Sequence, residues 1–279
     1  MLKKECGKMQ LKELLTLAIN KLKENKIEEP VIKARILLEN VLHVDKQFLV
    51  VHSQKQIEEK LALKYLENIE KLIQGFPIQY ITNKQEFMKL NFYVDSNVLI
   101  PQPDTEILVE EVIKKQKQKI LDLCTGSGAI AISLAKYIKN SNVCGTDISE
   151  QALKIAKKNA KANNVKVNFF KSDLFENIND KFEIIVSNPP YIETEVIKTL
   201  KPEVQKEPHI ALDGGQDGLN FYRKIIKQAP KFLKKDGMLF LEIGYNQKEA
   251  VENLLQNSNK YEKIECIKDL AGNYRVIIA

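Results

Sequence analysis

The sequence predicts an α/β protein in which a doubly wound, mostly parallel sheet of seven strands follows a small helical bundle. Two observations carry this prediction. The first 80 residues place apolar side chains at helical spacing, and from about residue 117 short apolar runs alternate with helical stretches. The length of 279 residues fits two domains, since roughly 150 residues is typical of one. We therefore expect a helical domain at 1–80, a linker and leading edge at 81–116, and a sheet domain at 117–279.

The helical region shows its apolar stripe clearly at Leu11, Ala18 and Leu22, and comparable stripes continue to about residue 73. We interpret the stripes as the core of a bundle, because no set of reactive side chains accompanies them. His43 and His52 also lie here. Neither has a partner at metal-ligand spacing, so both are expected to be structural or to face solvent.

The sheet domain is marked by five short apolar runs at 119–123, 142–146, 166–171, 182–187 and 238–243. Strands that are spaced by helices favour a parallel sheet. Two further segments, 261–267 and 274–279, are separated by a short turn and are expected to form an antiparallel hairpin that completes the seven strands. Ligands of such sheets bind beyond the carboxyl ends of the strands, so strand ends are where we expect chemistry.

The composition is that of an ordinary globular protein, with 44% hydrophobic and 29% charged residues. No apolar window approaches 18 residues, and residues 1–5 have no apolar signal-peptide core, so we expect a soluble, cytoplasmic protein without membrane contact. The net charge of +6 comes mainly from lysine. It permits an anionic partner, although a lysine-rich solvated surface explains it equally well.

The four cysteines, Cys6, Cys124, Cys144 and Cys266, form no CxxC pair and have no metal-ligand spacing. Zinc ribbons and thioredoxin-type chemistry therefore lose support, and no metal is expected. A reducing compartment fits this use of cysteine.

The first predicted strand ends in a glycine-rich turn that runs from Asp122 to Gly128 and leads directly into a helix. Gly126 and Gly128 allow a tight turn and let a ligand approach the backbone without meeting a Cβ. The dinucleotide fingerprint GxGxxG is incomplete because no third glycine follows, and no GK[ST] sequence supports a phosphate-binding loop. Taken alone, the turn is also compatible with a purely structural role.

Acidic residues stand at the ends of the next two strands. Asp147 follows Gly128 by 19 residues, close to the roughly 20-residue interval at which a carboxylate accepts hydrogen bonds from ribose hydroxyls. Asp173 and Leu174 follow the third strand and suit the amino group and the ring face of an adenine, although an aspartate at such a position is also a common helix cap. Together these residues predict an adenosine-containing ligand.

The fourth strand ends in Asn188-Pro189-Pro190-Tyr191. Two consecutive prolines remove two backbone donors and stiffen the turn, which leaves its carbonyl oxygens as acceptors. A planar NH2 group placed there can donate one N–H to the Asn188 side-chain oxygen and the other to the Pro189 carbonyl, while the Tyr191 ring covers its face. Such contacts strengthen as the nitrogen gains positive charge, which stabilises the transition state. A rigid turn that Asn188 merely caps is the alternative.

The glycine turn, Asp147 and Asn-Pro-Pro-Tyr, in this order and spacing, resemble class I S-adenosylmethionine-dependent methyltransferases that act on an amide or exocyclic amino nitrogen. Within that group the whole chain resembles the protein-(glutamine-N5) methyltransferases of peptide chain release factors. Further stretches that carry the likeness are 75–81, 85–87, 99–106, 211–219 and 221–223. The resemblance implies a Rossmann-like methyltransferase fold that follows the family's N-terminal helical domain, which recognises the substrate.

The resemblance also implies roles for individual residues. The residues that would bind S-adenosyl-L-methionine are Cys124, Thr125, Gly126, Ser127, Gly128, Asp147, Asp173, Leu174 and Asn188. The substrate amide would be bound by Asn188, Pro189, Pro190 and Tyr191. Of these, Asn188, Pro189 and Tyr191 are the expected catalytic residues.

Three positions depart from the pattern of the family. Cys124 stands where many members have glycine, Leu174 where some have an aromatic residue, and Gln102 where arginine is usual. We therefore expect weaker stacking on the adenine and no charge contact from residue 102. Gly-Gly-Gln at 214–216 spells the tripeptide of the family's substrates, but we expect it to be a glycine turn.

The expected reaction is direct transfer of a sulfonium methyl group to the side-chain nitrogen of the glutamine in the GGQ motif of a release factor, with no direct binding of nucleic acid. One alternative is a glutamine of a ribosomal protein. Another is N6-adenine or N4-cytosine of a nucleic acid, which needs a basic, aromatic-lined recognition surface that the sequence does not indicate. A third is a non-catalytic binding module, which the intact cofactor turn disfavours.

Overall fold

The computed structural model describes residues 9–279, so the expectations for residues 1–5 and for Cys6 lie outside the described part. The chain divides into two compact units. The first unit comprises the chain up to Asn83 together with Pro202–Lys206, and the second comprises Lys84–Lys201 and Glu207–Ala279.

The first unit is helical. Its helices are α1 (Leu11–Glu24), α2 (Pro30–Leu42), α3 (Lys46–Val51), α4 (Glu59–Ile73) and α5 (Ile78–Thr82). Leu22, Leu38 and Ile69 are fully buried in its core, as the helical stripes predict. The buried Tyr65 hydroxyl donates to the Ala34 carbonyl at 2.9 Å, which ties α4 to α2 at the centre of the bundle.

The second unit alternates strands and helices. Its strands are β1 (Gln85–Phe87), β2 (Leu90–Phe92), β3 (Lys119–Leu123), β4 (Asn142–Asp147), β5 (Asn168–Lys171), β6 (Phe182–Ser187), β7 (Leu233–Glu242), β8 (Glu265–Lys268) and β9 (Tyr274–Ile278). Its helices are α6 (Glu106–Lys114), α7 (Ala129–Tyr137), α8 (Glu150–Ala162), α9 (Thr194–Ile197), α10 (His209–Leu212), α11 (Asn220–Gln228) and α12 (Lys248–Ser258). A 3-10 turn, Pro103–Thr105, precedes α6.

The main sheet has seven strands in the order β5-β4-β3-β6-β7-β9-β8. The first five in this order are parallel, whereas β9 runs antiparallel to β7 and β8 runs antiparallel to β9. The predicted fold class and the closing hairpin are therefore confirmed. The strand order reverses at β3, whose neighbours are β4 and β6, and a crevice for a ligand is expected beyond the carboxyl ends of these strands.

The structure also contains features that the sequence did not predict. β1 and β2 form a separate antiparallel hairpin within the segment expected to be a linker. β7 begins at Leu233 rather than at 238, because Leu233 already pairs with Phe182 across an irregularity in the ladder. β5 begins at Asn168 rather than at 166.

Two apolar layers cover the faces of the sheet. Ile184 and Val186 belong to one buried cluster, while Ile185 belongs to the other. Alternate residues of a strand point to opposite faces, so β6 is covered on both sides, as expected for a strand in a parallel sheet. This packing makes the strand a rigid support for the residues that follow Ser187.

Among residues 9–279, no helix is both long and apolar enough to cross a membrane. The same part of the chain contains no group of three or more histidine, cysteine, aspartate or glutamate side chains that could hold a metal ion.

Candidate active site

The turn that follows β3 has positive φ angles at Cys124 (+58°), Gly126 (+54°) and Gly128 (+81°). A Cβ on Gly128 would lie 2.9 Å from the side chain of Ile132, so this glycine is required by packing as well as by its backbone angle. A Cβ on Gly126 would meet no atom within 4 Å. Gly126 therefore faces open space, and a ligand can approach its backbone closely.

Asp122 stabilises this turn through hydrogen bonds. It is fully buried, and its Oδ2 accepts the Thr125 hydroxyl at 2.5 Å and the Ala131 N–H at 3.2 Å. Its Oδ1 has no hydrogen-bond partner among the described residues. Burial raises the pKa of the Asp122 carboxyl to about 7, even though both donors favour the charged form.

Asp147 ends β4 and joins the glycine turn to the start of α8. Its Oδ2 accepts the Gly126 N–H and its Oδ1 accepts the Ser149 N–H, each at 2.9 Å. Burial raises the pKa of this carboxyl more than these N–H groups lower it. Each carboxylate oxygen offers two lone pairs, so both oxygens can accept one further hydrogen bond from a ligand hydroxyl.

Leu174 lies in a strained turn after β5. Its φ of +46° is unusual for a residue with a side chain, and its carbonyl accepts the Ser172 hydroxyl at 2.8 Å. Ser172 Oγ also accepts the Asn177 N–H at 3.0 Å. The turn is thus held by a buried serine and directs a buried leucine toward the carboxyl end of the sheet.

An open pocket lies at these strand ends, where ligands of doubly wound sheets bind. The predicted site residues that line it are Cys124, Gly126, Asp147, Asp173, Leu174, Asn188 and Pro190. Those that do not form its surface are Thr125, Ser127, Gly128, Pro189 and Tyr191. The structure therefore brings the expected adenosine residues and Asn188 to a single pocket, and the roles of all these residues stay predictions.

Asn188 is half-buried and directly follows β6. Its Nδ2 donates to the Thr105 hydroxyl at 3.2 Å. Because the amide nitrogen is engaged there, the amide oxygen remains as the polar atom that Asn188 can offer to a group in the pocket.

Tyr191 is half-buried, and its hydroxyl donates to Oε1 of Glu242 at 3.3 Å. Its backbone carbonyl accepts the side-chain amide of Gln247 at 2.9 Å. Burial and the nearby Glu242 carboxylate raise the pKa of the Tyr191 hydroxyl, so this group stays protonated. Two contacts thus fix the residue that closes the Asn-Pro-Pro-Tyr corner.

The Gly-Gly-Gln segment at 214–216 supports the same corner. A Cβ on Gly214 would lie 2.7 Å from Tyr191 Cα, and one on Gly218 would lie 2.4 Å from the Tyr191 carbonyl oxygen. The Gly214 N–H donates to the Ile192 carbonyl at 2.8 Å. Gly214 and Gly218 therefore need to be glycine so that this turn can pack closely against the corner.

Comparisons with known proteins identify the family of the chain. Residues 13–82 match the PrmC N-terminal domain, and residues 101–206 match the Methyltransferase small domain. A release factor glutamine methyltransferase of Clostridium acetobutylicum is 42% identical over 281 residues, which cover 97% of this chain and 98% of that protein. One of Thermodesulfovibrio yellowstonii is 42% identical over 273 residues, with 94% and 97% covered. The chain belongs to the release factor glutamine methyltransferase family. It is therefore a methyltransferase, as the resemblance implied.

Solved structures share the fold of this methyltransferase at low identity. A methyltransferase from Pyrococcus furiosus aligns with a TM-score of 0.54 and 18% identity over 79% of this chain and 97% of that one. A 16S rRNA methyltransferase from T. thermophilus, solved with AdoMet and guanosine, aligns with a TM-score of 0.51 and 21% identity over 70% of this chain and 49% of that one. At such identities the likeness concerns the fold alone.

The methyltransferase site also depends on two residues that the sequence reasoning missed. Asn159, buried in α8, donates to the carbonyls of Ser127 at 2.9 Å and Tyr93 at 3.0 Å, and so anchors the glycine turn. Glu207 accepts the Ile100 N–H at 2.9 Å, and burial raises its pKa to about 7. Leu99, which precedes Ile100, and Pro208, which follows Glu207, both line the pocket. The bond between Glu207 and Ile100 therefore joins two walls of the pocket.

The side chain of Gln102 donates to the Ile100 carbonyl at 3.0 Å. Gln102 is exposed and does not line the pocket. The signal for Asn159 and Glu207 was absent from the sequence, because an asparagine within a helix and a glutamate before a proline are ordinary surface residues until the fold buries them.

Proposed function

We propose that the chain transfers the methyl group of S-adenosyl-L-methionine to the side-chain amide nitrogen of the glutamine in the GGQ motif of peptide chain release factors. The observation that carries this proposal is the Asn188 amide: it lines the same pocket as the adenosine-type residues, and its nitrogen is already engaged by Thr105. The free amide oxygen suits an incoming NH2 group, which is a donor.

The residues in one half of the pocket have the chemistry that a nucleoside cofactor requires. Gly126 leaves open space at the turn, and Asp147 has lone pairs left for ribose hydroxyls. Leu174 offers an apolar surface for the adenine ring. We propose that these residues hold S-adenosyl-L-methionine, which when bound supplies an electrophilic methyl group on a positively charged sulfur.

The substrate half has to activate a poor nucleophile, because the lone pair of an amide nitrogen is delocalised into its carbonyl. We propose that Asn188 Oδ1 and the Pro189 carbonyl accept the two N–H bonds of the glutamine amide. Both acceptors then hold the nitrogen at attacking distance and gain strength as it becomes positive, which lowers the barrier. The two prolines keep the corner rigid, so its carbonyls need not reorganise during the reaction.

We infer the release factor as partner from relatives that are named release factor glutamine methyltransferases and that match this chain over nearly their whole length. Because two glycines precede the glutamine, no side chain of those residues obstructs its approach to the pocket. We propose that the helical first unit contributes to recognition of this protein substrate.

The proposal is tested by incubating the protein with methyl-labelled S-adenosylmethionine and, separately, a release factor, its Gln→Asn variant at the GGQ glutamine, and a mixed nucleic acid pool. We expect label on that glutamine alone, located by mass spectrometry of the peptides. Label in the nucleic acid, or equal label in the Gln→Asn variant, would refute the proposed substrate.

A further inference from the structure

The Asn-Pro-Pro-Tyr corner is stiff along its length, so its position depends on how its two ends are held. Pro189 and Pro190 each fix φ at about −65° and also restrict the residue before them. One end continues from β6, which is paired on its two sides with β3 and β7. The other end is Tyr191, which lies outside the strands of the sheet. A residue that holds the Tyr191 backbone therefore helps to place Asn188 and the Pro189 carbonyl.

Gln247 holds this second end. It directly precedes α12 and is 8% exposed. Its Nε2 donates to the Tyr191 carbonyl at 2.9 Å and, more weakly, to the Gly218 carbonyl at 3.4 Å. An amide nitrogen carries two hydrogens, so both donors of this side chain are used. Gln247 does not itself line the pocket.

The orientation of the Gln247 amide is set by Gly244. The Gly244 N–H donates to Gln247 Oε1 at 3.0 Å, and the Gly244 carbonyl accepts the Gln247 N–H at 2.9 Å. The Tyr222 hydroxyl lies 3.4 Å from Oε1, but its single proton is better placed on the Glu242 carbonyl at 2.8 Å. Because a backbone N–H can only donate, Oε1 has to face Gly244, and the donor end of the amide then faces Tyr191.

Two glycines make room for this amide. A Cβ on Gly218 would lie 2.7 Å from Gln247 Nε2, and a Cβ on Gly244 would lie 2.9 Å from Gln247 Oε1. Real Cβ atoms do not approach other atoms so closely, so a side chain at either position would displace the amide. The loop before α11 and the end of β7 are therefore shaped to fit a planar amide against the corner.

We propose that Gln247 is a positioning residue that anchors the Asn-Pro-Pro-Tyr corner, so that Asn188 Oδ1 and the Pro189 carbonyl face the glutamine amide. This inference rests on the proposed function, because it assigns a residue that holds the acceptors of that reaction. Gln247 acts through Tyr191 and does not touch the substrate. Without its donor, the Tyr191 carbonyl loses its short hydrogen bond and the corner is free to shift.

The first test is Gln247→Met, which keeps an unbranched side chain of similar length but removes both ends of the amide. We expect the single-turnover rate on the release factor to fall roughly tenfold to a hundredfold, as for a small misplacement of catalytic groups. The dissociation constant for S-adenosylmethionine should stay within about threefold of wild type, since Gln247 lies outside the pocket. Gln256→Met makes the same change at an exposed position of α12 and should leave the rate unchanged.

The second test is Gln247→Glu, which asks whether the donor itself matters. An ionised carboxylate can accept the Gly244 N–H but cannot donate to the Tyr191 carbonyl, whereas a protonated carboxyl can do both. Burial raises the pKa of a carboxyl at such a position, so lowering the pH restores the donor. We expect the rate of Gln247→Glu relative to wild type to rise about tenfold from about pH 8.5 to about pH 5.5. The relative rate of Gln247→Met should stay constant over the same range.

Comparison with wild type at each pH is needed because other groups near Gln247 titrate. They come from the corner, α11, β7, β9 and the loop before α11, and they are Tyr191, Tyr222, Glu242, Arg275 and Asp217. Burial raises the pKa of both tyrosines, so they stay neutral, while the Arg223 guanidinium lowers the pKa of Asp217 to about 2 and keeps it charged. Burial raises the pKa of Glu242 to about 7, and this group titrates in wild type and variants alike.

The rates are measured at a temperature at which each variant is folded, so that a loss of stability alone leaves them unchanged. A wild-type rate in Gln247→Met, an equal loss in Gln256→Met, or no relative rise of Gln247→Glu at low pH would overturn the proposal. So would a loss of S-adenosylmethionine affinity as large as the loss of rate. If Gln247→Met does not fold, the pH dependence of Gln247→Glu decides it. Failure of the wild-type enzyme to methylate the release factor would instead refute the proposed function.

Discussion

Gly126 and Gly128 stand two residues apart in one turn, yet the structure predicts different consequences for replacing them with alanine. Both have positive φ, which costs an alanine roughly 1–2 kcal/mol. At Gly128 the new Cβ would also lie 2.9 Å from Ile132, 3.1 Å from Ala156 and 3.2 Å from Phe169, and such overpacking adds about 1–3 kcal/mol. We therefore expect Gly128→Ala to lower the free energy of unfolding by about 2–5 kcal/mol.

At Gly126 the added methyl group meets no protein atom, so we expect a loss of only about 1–2 kcal/mol in the free energy of unfolding. The methyl group would instead enter the space proposed for the cofactor, and we expect the affinity for S-adenosylmethionine to fall about tenfold to a hundredfold. Urea unfolding measures the first quantity and titration calorimetry the second.

A matched control is Gly272→Ala, because Gly272 has a φ of +85° and its Cβ would also meet nothing within 4 Å. It lies in the turn between β8 and β9 and does not line the pocket. It should lose as much stability as Gly126→Ala without any loss of affinity. Wild-type affinity in Gly126→Ala, or equal stability of the Gly126 and Gly128 variants, would refute the reasoning.

Four further predictions concern the site. Asn188→Ala should retain cofactor binding but lose roughly 3–4 kcal/mol of transition-state stabilisation, by analogy with a lost oxyanion-hole contact, and a single-turnover assay measures this loss. Asp147→Ala should weaken cofactor binding, and calorimetry that shows unaltered affinity would contradict its role. Cys124→Gly should stabilise the fold by up to about 1 kcal/mol, since glycine relieves the positive φ; a lowered midpoint of urea unfolding would argue against this. The raised pKa values of Asp122 and Glu207 mean that each stabilises the fold fully below about pH 4 and loses that contribution as the pH rises through about 7. Asp122→Asn should therefore show a smaller decrease in the free energy of unfolding between pH 4 and pH 7 than wild type, and urea titrations at both pH values check it.

The part of the fold that could be predicted from the sequence is the part in which local pattern and packing agree. The strands at Lys119–Leu123 and Phe182–Ser187 are mostly apolar because both of their faces are covered, and their ends match the expected positions. The glycine turn between β3 and α7 was recognisable because its backbone angles require glycine.

Other elements gave no local signal. The β1–β2 hairpin turns at Met88 and Lys89, which adopt positive φ without being glycine or asparagine. The first half of β7 is polar, and only its pairing with β6 makes it a strand. Pro202–Lys206 joins the first unit across more than a hundred residues of chain, a contact that no local pattern encodes.

The residues of the pocket also divide into those that a local sequence pattern predicts and those that only the tertiary structure shows. Asp147 and Asn188 were predicted because each stands at the ligand-binding end of a strand, Asp147 as the last residue of β4 and Asn188 directly after β6. The contact between Asn188 and Thr105 was not, because it joins residues that are 83 positions apart in the chain. Burial then raises the pKa values of ordinary carboxyl groups, and which groups are buried depends on the tertiary structure.

The central claim is that the diproline corner accepts the two N–H bonds of a glutamine amide. A crystal structure of the protein with S-adenosylhomocysteine and a glutamine-containing release factor peptide tests this most directly. We expect the glutamine nitrogen to lie within about 3.2 Å of both Asn188 Oδ1 and the Pro189 carbonyl oxygen. A glutamine bound elsewhere, or bound with its carbonyl oxygen rather than its nitrogen toward Asn188, would contradict the account.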